Sequence, residues 1–249
     1  HAVGSCSEMT VVLLFFAAVL GGAIAALAGF GIGSILTPLL ALSVGTKQAV
    51  VAVSIPHLVA TGIRFWNLRH KVDRYLLKNF GIASAGGGLL GALLGSRFSS
   101  PVLAYILGGL LVFAGLSGLT GLSRKMRFGK RIAWVGGALA GLLGGLVGNQ
   151  GGVRSAAMLG FNLDTKTFVA TATVIALIVD GARMPVYFFT SPETVQRLGA
   201  WIAIMAAGVA IGTLLGGKVL ARIPETWFRR LVSLLILALG IVMLSGLAR

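Results

Sequence analysis

The chain has 249 residues, of which 57% are hydrophobic and only 11% are charged. A soluble domain usually carries about 25% charged residues, so this composition excludes an ordinary soluble enzyme and indicates a helical membrane protein. The net charge of +15 does not imply nucleic-acid binding, because the basic residues cluster in short loops between apolar runs, as the positive-inside rule expects. The single cysteine, Cys6, allows no intramolecular disulfide.

The amino-terminal residues divide into two parts. Residues 1–8 precede the first methionine, Met9, and we interpret them as a non-native remnant. The apolar segment 10–28 follows. It lacks a basic n-region and a fitting signal-peptidase site, so we expect it to be retained. Its length fits either a complete membrane crossing or half of a hairpin.

The rest of the chain divides into apolar segments separated by glycine-rich breaks and basic loops. In the first half, a break at 29–33 and a short apolar piece at 34–43 precede spans at 46–65, 80–96 and 102–121. In the second half, the apolar run 132–147 is followed by a break at 148–152, a short piece at 155–162, and spans at 165–189, 198–217 and 231–247. A ten-residue piece makes roughly 15 Å of helix, which is too short to cross a bilayer, so each short piece predicts a hairpin.

The two halves are related by a shift of 119 residues. The shift brings Gly29 onto Gly148 and Gly33 onto Gly152, and it superposes two further pairs of motifs. These are Thr46-Lys47 with Thr165-Lys166 and Gly62-x-Arg64 with Gly181-x-Arg183. Such self-similarity predicts an internal repeat, with a first repeat at 9–123, a linker at 124–131 and a second repeat at 132–249.

The distribution of basic residues predicts the orientation of the repeats. Most lysines and arginines fall in three loops, 64–78, 124–131 and 218–230, which we expect in the cytoplasm. Residues 190–197, which are equivalent to the first loop in the second repeat, then lie on the opposite side of the membrane. We therefore predict an all-α polytopic membrane protein of two inverted-topology repeats, each with a glycine-broken hairpin followed by three transmembrane helices.

The two glycine breaks form the candidate binding site. Breaks in membrane helices survive only where protein or water surrounds them, and paired breaks in two halves point to a transporter's substrate site. Helix N-termini and an arginine fork suit a small anion. The candidate substrate-binding residues are Gly31, Gly33, Ser34, Thr37, Asn149, Gln150, Gly151, Gly152 and Arg154. The alternatives are glycines that only allow tight packing, amides that only cap helix ends, and an Arg154 that extends to the membrane surface.

Three ionisable residues within predicted spans are candidates for proton coupling: His57, Asp180 and Arg183. Asp180 and Arg183 are three residues apart on one helix face, so a structural ion pair is the alternative. An unperturbed histidine such as His57 titrates near neutral pH, although its position favours a packed, hydrogen-bonded histidine.

Two glycine ridges are expected to pack helices closely. They are Gly87-x-x-x-Gly91-x-x-x-Gly95 and Gly208-x-x-x-Gly212-x-x-x-Gly216. Packing inside one chain is the main interpretation, and a homodimer interface is the alternative. The few acids and histidines show neither metal-ligand spacing nor a nucleophile motif, so we expect no enzyme, no metal and no cofactor.

The first break resembles that of the TauE/SafE family of sulfite exporters. The resemblance is carried by Leu27-Ala-Gly-Phe-Gly-Ile-Gly-Ser-Ile-Leu-Thr-Pro38, followed by Gly45-Thr46, and it extends over 10–247. The second copy departs from the pattern at Asn149-Gln150 and Arg154, and Ala157 stands at its proline position.

The resemblance implies transport of sulfite or organosulfonate anions across a bacterial inner membrane, mostly outward. Partners would be the lipid bilayer and a small anion, with proton coupling as an option. Alternatives are an uncoupled anion channel or uniporter, an anion uptake permease, an intramembrane enzyme and a membrane scaffold.

Overall fold

A computed structural model describes residues 8–121, 130–149, 151–158, 161, 163–220 and 224–246. Several predictions on the remaining residues lie outside this description: most of the amino-terminal remnant, most of the linker, Gln150, and residues 221–223 of the third basic loop. In the described ranges the chain is helical and has no β-strand.

Each half contributes a similar series of helices. In the first half these are α1 (Glu8–Ala28), α2 (Ile32–Val44), α3 (Thr46–Leu68), α4 (Ile82–Arg97) and α5 (Ser100–Thr120). In the second half they are α6 (Lys130–Val147), α7 (Gly151–Met158), α8 (Thr165–Thr190), α9 (Pro192–Arg197), α10 (Gly199–Leu220) and α11 (Glu225–Leu244). Short helical turns at Arg69–Lys71, Arg74–Leu76 and Leu77–Gly81 join α3 to α4.

Six of the described helices are long and apolar enough to cross a bilayer. Their candidate spans are Met9–Ala28, Thr46–Lys71, Ser100–Thr120, Thr165–Thr190, Gly199–Gly216 and Thr226–Leu244. The apolar parts of α2 and α6, Ile32–Val44 and Trp134–Val147, are shorter. These features confirm the predicted all-α polytopic membrane protein. The inverted orientation of the two halves stays a prediction.

Both glycine breaks occur where the sequence predicts them, and the glycines that open them have the same backbone conformation. Gly29 ends α1 with φ 76°, and Gly148 ends α6 with φ 71°. This left-handed conformation is the usual way to terminate a helix, and it favours glycine because a Cβ atom would be strained there. The amide of Gly29 donates to the carbonyl of Ala25 at 2.9 Å, and Gly148 donates to Gly144 at 3.0 Å. These donors and acceptors are equivalent under the 119-residue shift.

Two of the predicted loops are shorter than expected. The loop at 64–78 was predicted to begin at Arg64, but α3 continues to Leu68 and Arg64 is only 3% exposed. The apolar side chains that follow Arg64 extend the helix beyond this cation. Likewise α10 reaches Leu220 and α11 begins at Glu225, which shortens the loop at 218–230.

Helix packing keeps the same pattern when the two halves are exchanged. Helix α1 packs along α10, and its counterpart α6 packs along α4. The pairs α3 with α8 and α5 with α11 join equivalent helices of the two halves. The buried apolar core is therefore shared between the halves, and the two breaks lie within it.

The glycine ridges lie inside the protein, as predicted. A Cβ atom on Gly91 would stand 2.1 Å from the carbonyl oxygen of Leu142 in α6. A Cβ atom on Gly212 would stand 2.0 Å from the carbonyl oxygen of Val19 in α1. Since the facing atoms belong to backbone, they cannot rotate away, and only glycine allows these helices to approach so closely.

Gly91→Ala should therefore lower the unfolding temperature of the purified protein in detergent by several degrees. Gly86→Ala is the matched control, because Gly86 lies in the same helix and a Cβ atom there meets nothing within 4 Å. Thermal unfolding followed by circular dichroism compares the two. Equal stability of both variants would contradict the close packing of α4 against α6.

Candidate substrate site

The two breaks meet in the centre of the fold. A Cβ atom on Gly33 would stand 2.4 Å from the carbonyl oxygen of Gly148, and one on Gly151 would stand 2.4 Å from Cβ of Phe30. The hydroxyl of Ser34 donates to Oδ1 of Asn149 at 3.2 Å. The candidate residues of the two halves are thus neighbours, although more than 100 residues separate them in sequence.

Arg154 lies in α7 at this meeting point. Its side chain is 1% exposed, and its NH2 group donates to the carbonyl of Gly29 in the opposite break at 3.0 Å. Its Nε and NH1 groups have no hydrogen-bond partner. This placement does not fit an arginine that extends to the membrane surface. Two unpartnered N–H groups on a buried cation are costly, and such groups normally have acceptors.

Other predicted site residues surround the same region. Thr37 is fully buried and its hydroxyl has no partner. It lies 3.6 Å from the position of a Cβ atom on Gly148. Gly31 precedes α2 with φ 135°, and no side chain caps this helix start, which leaves its first amides without a side-chain acceptor. Gly152 lies in the first turn of α7.

Arg64 and Arg183 are equivalent under the 119-residue shift, and they make the same contact. NH1 of Arg64 donates to the carbonyl of Ala25, and NH1 of Arg183 donates to the carbonyl of Gly144, each at 2.6 Å. Both carbonyls lie in the last turn before a glycine break. The negative end of a helix dipole favours a cation there. The sequence analysis paired Arg64 with Arg183. It missed the role of Arg64 because it assigned this residue to a loop.

The three candidates for proton coupling form one cluster. Nδ1 of His57 lies 2.7 Å from Oδ2 of Asp180, which links α3 to α8. Oδ1 of Asp180 accepts from Nε of Arg183 at 3.0 Å and forms an ion pair with its Nη2 at 2.7 Å. The sequence predicted the pairing of Asp180 with Arg183, but the contact of His57 with the same carboxylate was not expected.

A narrow cleft of about 10 Å³ lies next to this cluster. Its lining includes Lys47, Val50, Ser96, Tyr187 and Ser191. Tyr187, which sequence reasoning missed, donates its hydroxyl to the carbonyl of Gly145 at 2.5 Å and lies with its ring 5.8 Å from the Arg183 guanidinium. Arg154 is not among the residues that line the cleft.

A model of the sulfite exporter TauE/SafE family matches residues 14–243, which include both breaks and the buried Arg64, Arg154 and Arg183. The chain belongs to this family. No curated protein and no solved structure matches it significantly. Membership of the TauE/SafE family implies a membrane transporter of sulfite- or sulfonate-type anions. The match confirms the resemblance over nearly the whole chain.

Asp180→Asn should destabilise the fold by about 3 kcal/mol, because it removes the carboxylate that compensates a buried arginine. Asp164→Asn is the control, since Asp164 is an exposed cap of α8 and asparagine also caps helices. Hydrogen bonds from Thr167 hold the pKa of Asp164 below its usual value. Chemical denaturation in detergent measures both variants. Equal stability would show that the Asp180 cluster contributes nothing to the fold.

Proposed function

We propose that the chain exports sulfite or a related organosulfonate across the bacterial inner membrane by alternating access. The substrate binds where the two glycine breaks meet. The observation that carries this proposal is Arg154, a buried cation with two unpartnered N–H groups that is bonded to the opposite break. An intramembrane cation is a functional residue by default, because its burial needs compensation.

The chemistry of the site suits a small oxyanion. The guanidinium fork of Arg154 presents paired donors that match two oxygens of one anion. The uncapped amides at the start of α2 and the partial positive charge of that helix end add further donors. The hydroxyls of Ser34 and Thr37 lie beside them, and Asn149 reaches the same place from the second half. Together these groups replace the water that an anion loses on entering the protein.

The packing of the two halves supports alternating access. Because the helix contacts keep their pattern when the halves are exchanged, the two halves can also exchange conformations, which is how inverted repeats open a site to each side in turn. Arg154 is enclosed in this conformation, whereas an uncoupled channel needs a continuous polar path. The enclosure therefore favours a carrier over a channel.

The His57–Asp180–Arg183 cluster is the proposed coupling device. A proton that enters this cluster changes the charge that Asp180 presents to Arg183, and the shared carboxylate joins α3 to α8. A change in this pairing therefore acts on the contact between the two halves. The proton gradient and the substrate gradients then set the direction of net transport.

Arg154→Gln should weaken sulfite binding and transport at least about tenfold, because it removes charged hydrogen bonds to the anion. Lys166→Gln is the matched control, since Lys166 is an exposed cation of the same half. Sulfite efflux from proteoliposomes measures transport, and calorimetric titration measures binding. Unchanged sulfite binding by folded Arg154→Gln would place the site elsewhere.

His57→Gln should abolish the response of sulfite efflux to an imposed pH gradient while sulfite binding persists. The amide can still hydrogen-bond to Asp180 but cannot carry a proton as an imidazole does. Efflux is measured with and without the gradient for the wild type and the variant. A wild type whose efflux ignores the gradient would instead identify an uncoupled uniporter.

A further inference from the structure

The described interior holds more positive than negative charge. Arg64, Arg154 and Arg183 are each at most 3% exposed, and Asp180 is fully buried. Asp180 pairs with Arg183. In the part of the chain that the structure describes, no carboxylate lies within 4.0 Å of Arg64 or Arg154. The interior therefore carries two uncompensated positive charges, before any proton on His57.

The internal repeat shows where the missing carboxylate would be. Under the 119-residue shift, Thr61 occupies the position of Asp180 and Arg64 that of Arg183. The contacts are also equivalent, since NH2 of Arg64 donates to the hydroxyl of Thr61 at 3.3 Å. The first half thus keeps the arginine and its geometry but has a neutral group in place of the counter-charge.

The two uncompensated cations lie at the same helix end. Arg64 donates to the carbonyl of Ala25, and Arg154 donates to the carbonyl of Gly29, one turn further on. The amide of Gly29 itself donates to Ala25. Nε of each arginine is left without a partner, as is NH1 of Arg154.

The helix ends at this break do not neutralise both arginines. The last turn of α1 contributes roughly half a negative charge. The start of α2, three residues further along, contributes a similar positive charge. The two partial charges largely cancel. The positive charge of the two guanidinium groups therefore remains for a ligand to balance.

We infer that Arg64 and Arg154 together bind a doubly charged oxyanion, and that the neutral Thr61 sets a preference for dianions over singly charged sulfonates. This inference rests on the proposed function and names the charge class of its substrate. A dianion balances the two cations, whereas a monoanion leaves one buried charge uncompensated, which is costly in an apolar interior.

The test compares sulfate, which carries two charges near neutral pH, with methanesulfonate, which carries one. Binding of each to the purified protein is measured by calorimetric titration at constant ionic strength, because salt screens charge interactions. The wild type should prefer sulfate by at least about tenfold. Thr61→Asp supplies the repeat-equivalent carboxylate and should remove most of this preference. Thr61→Asn, of the same size but neutral, should retain it.

A second variant covers the case in which Thr61→Asp does not fold. Arg64→Gln removes one of the two charges directly and should also reduce the preference for sulfate. Folding is checked by gel filtration and thermal unfolding. The ratio of the two affinities is the deciding readout, since a merely structural defect would weaken both anions alike.

The outcomes separate this inference from the proposed function. Loss of the preference in Thr61→Asp or Arg64→Gln, with retention in Thr61→Asn, supports the dianion site. Equal binding of both anions to the wild type, or a preference that survives in a folded charge variant, overturns it and leaves transport of sulfur anions standing. If the wild type binds neither anion nor sulfite, the proposed function fails as well.

Discussion

The burial of the guanidinium groups of Arg64, Arg154 and Arg183 in a predominantly apolar helical protein is the constraint on which the rest of the described structure depends. A charge in such an interior must meet acceptors or a counter-charge, since lipid supplies neither. The two glycine breaks provide carbonyl groups at helix ends, and Arg64, Arg154 and Arg183 each donate to one of them. Glycine at the breaks lets the two helix ends touch, so breaks and arginines together form one polar centre.

The polar centre combines a symmetric frame with asymmetric chemistry. The glycines that end α1 and α6, the contacts of Arg64 and Arg183, and the main helix pairings are equivalent in the two halves. The side chains differ where function is proposed: Asp180 matches Thr61, and His57 matches Ala176. Asp180 therefore compensates Arg183 and contacts His57 of the first half, whereas Thr61 leaves Arg64 without a counter-charge. Under the proposed function, the common frame supports two conformations, and these differences place the proton and the anion at separate positions.

The positions of the helices and breaks could be predicted from the sequence, whereas most contacts between the helices could not. Apolar length and glycine spacing located the helices and both breaks, because a bilayer requires long apolar runs and tolerates few interruptions. The burial of Arg64 could not be predicted, since it depends on a carbonyl 39 residues away and the neighbouring sequence is basic. The contact of His57 with Asp180 spans 123 residues. The lack of partners for Nε and Nη1 of Arg154 can be recognised only when the positions of the surrounding acceptor atoms are known.

The most direct test of an anion site at the joined breaks is the anomalous scattering of selenate, a dianion shaped like sulfate, in crystals of the wild-type protein. The account predicts one selenium peak in the protein interior, within hydrogen-bonding distance of the Arg154 guanidinium and beside Arg64. Ordered selenate in the cleft lined by Lys47 or on the basic loops, with none near Arg154, would contradict it.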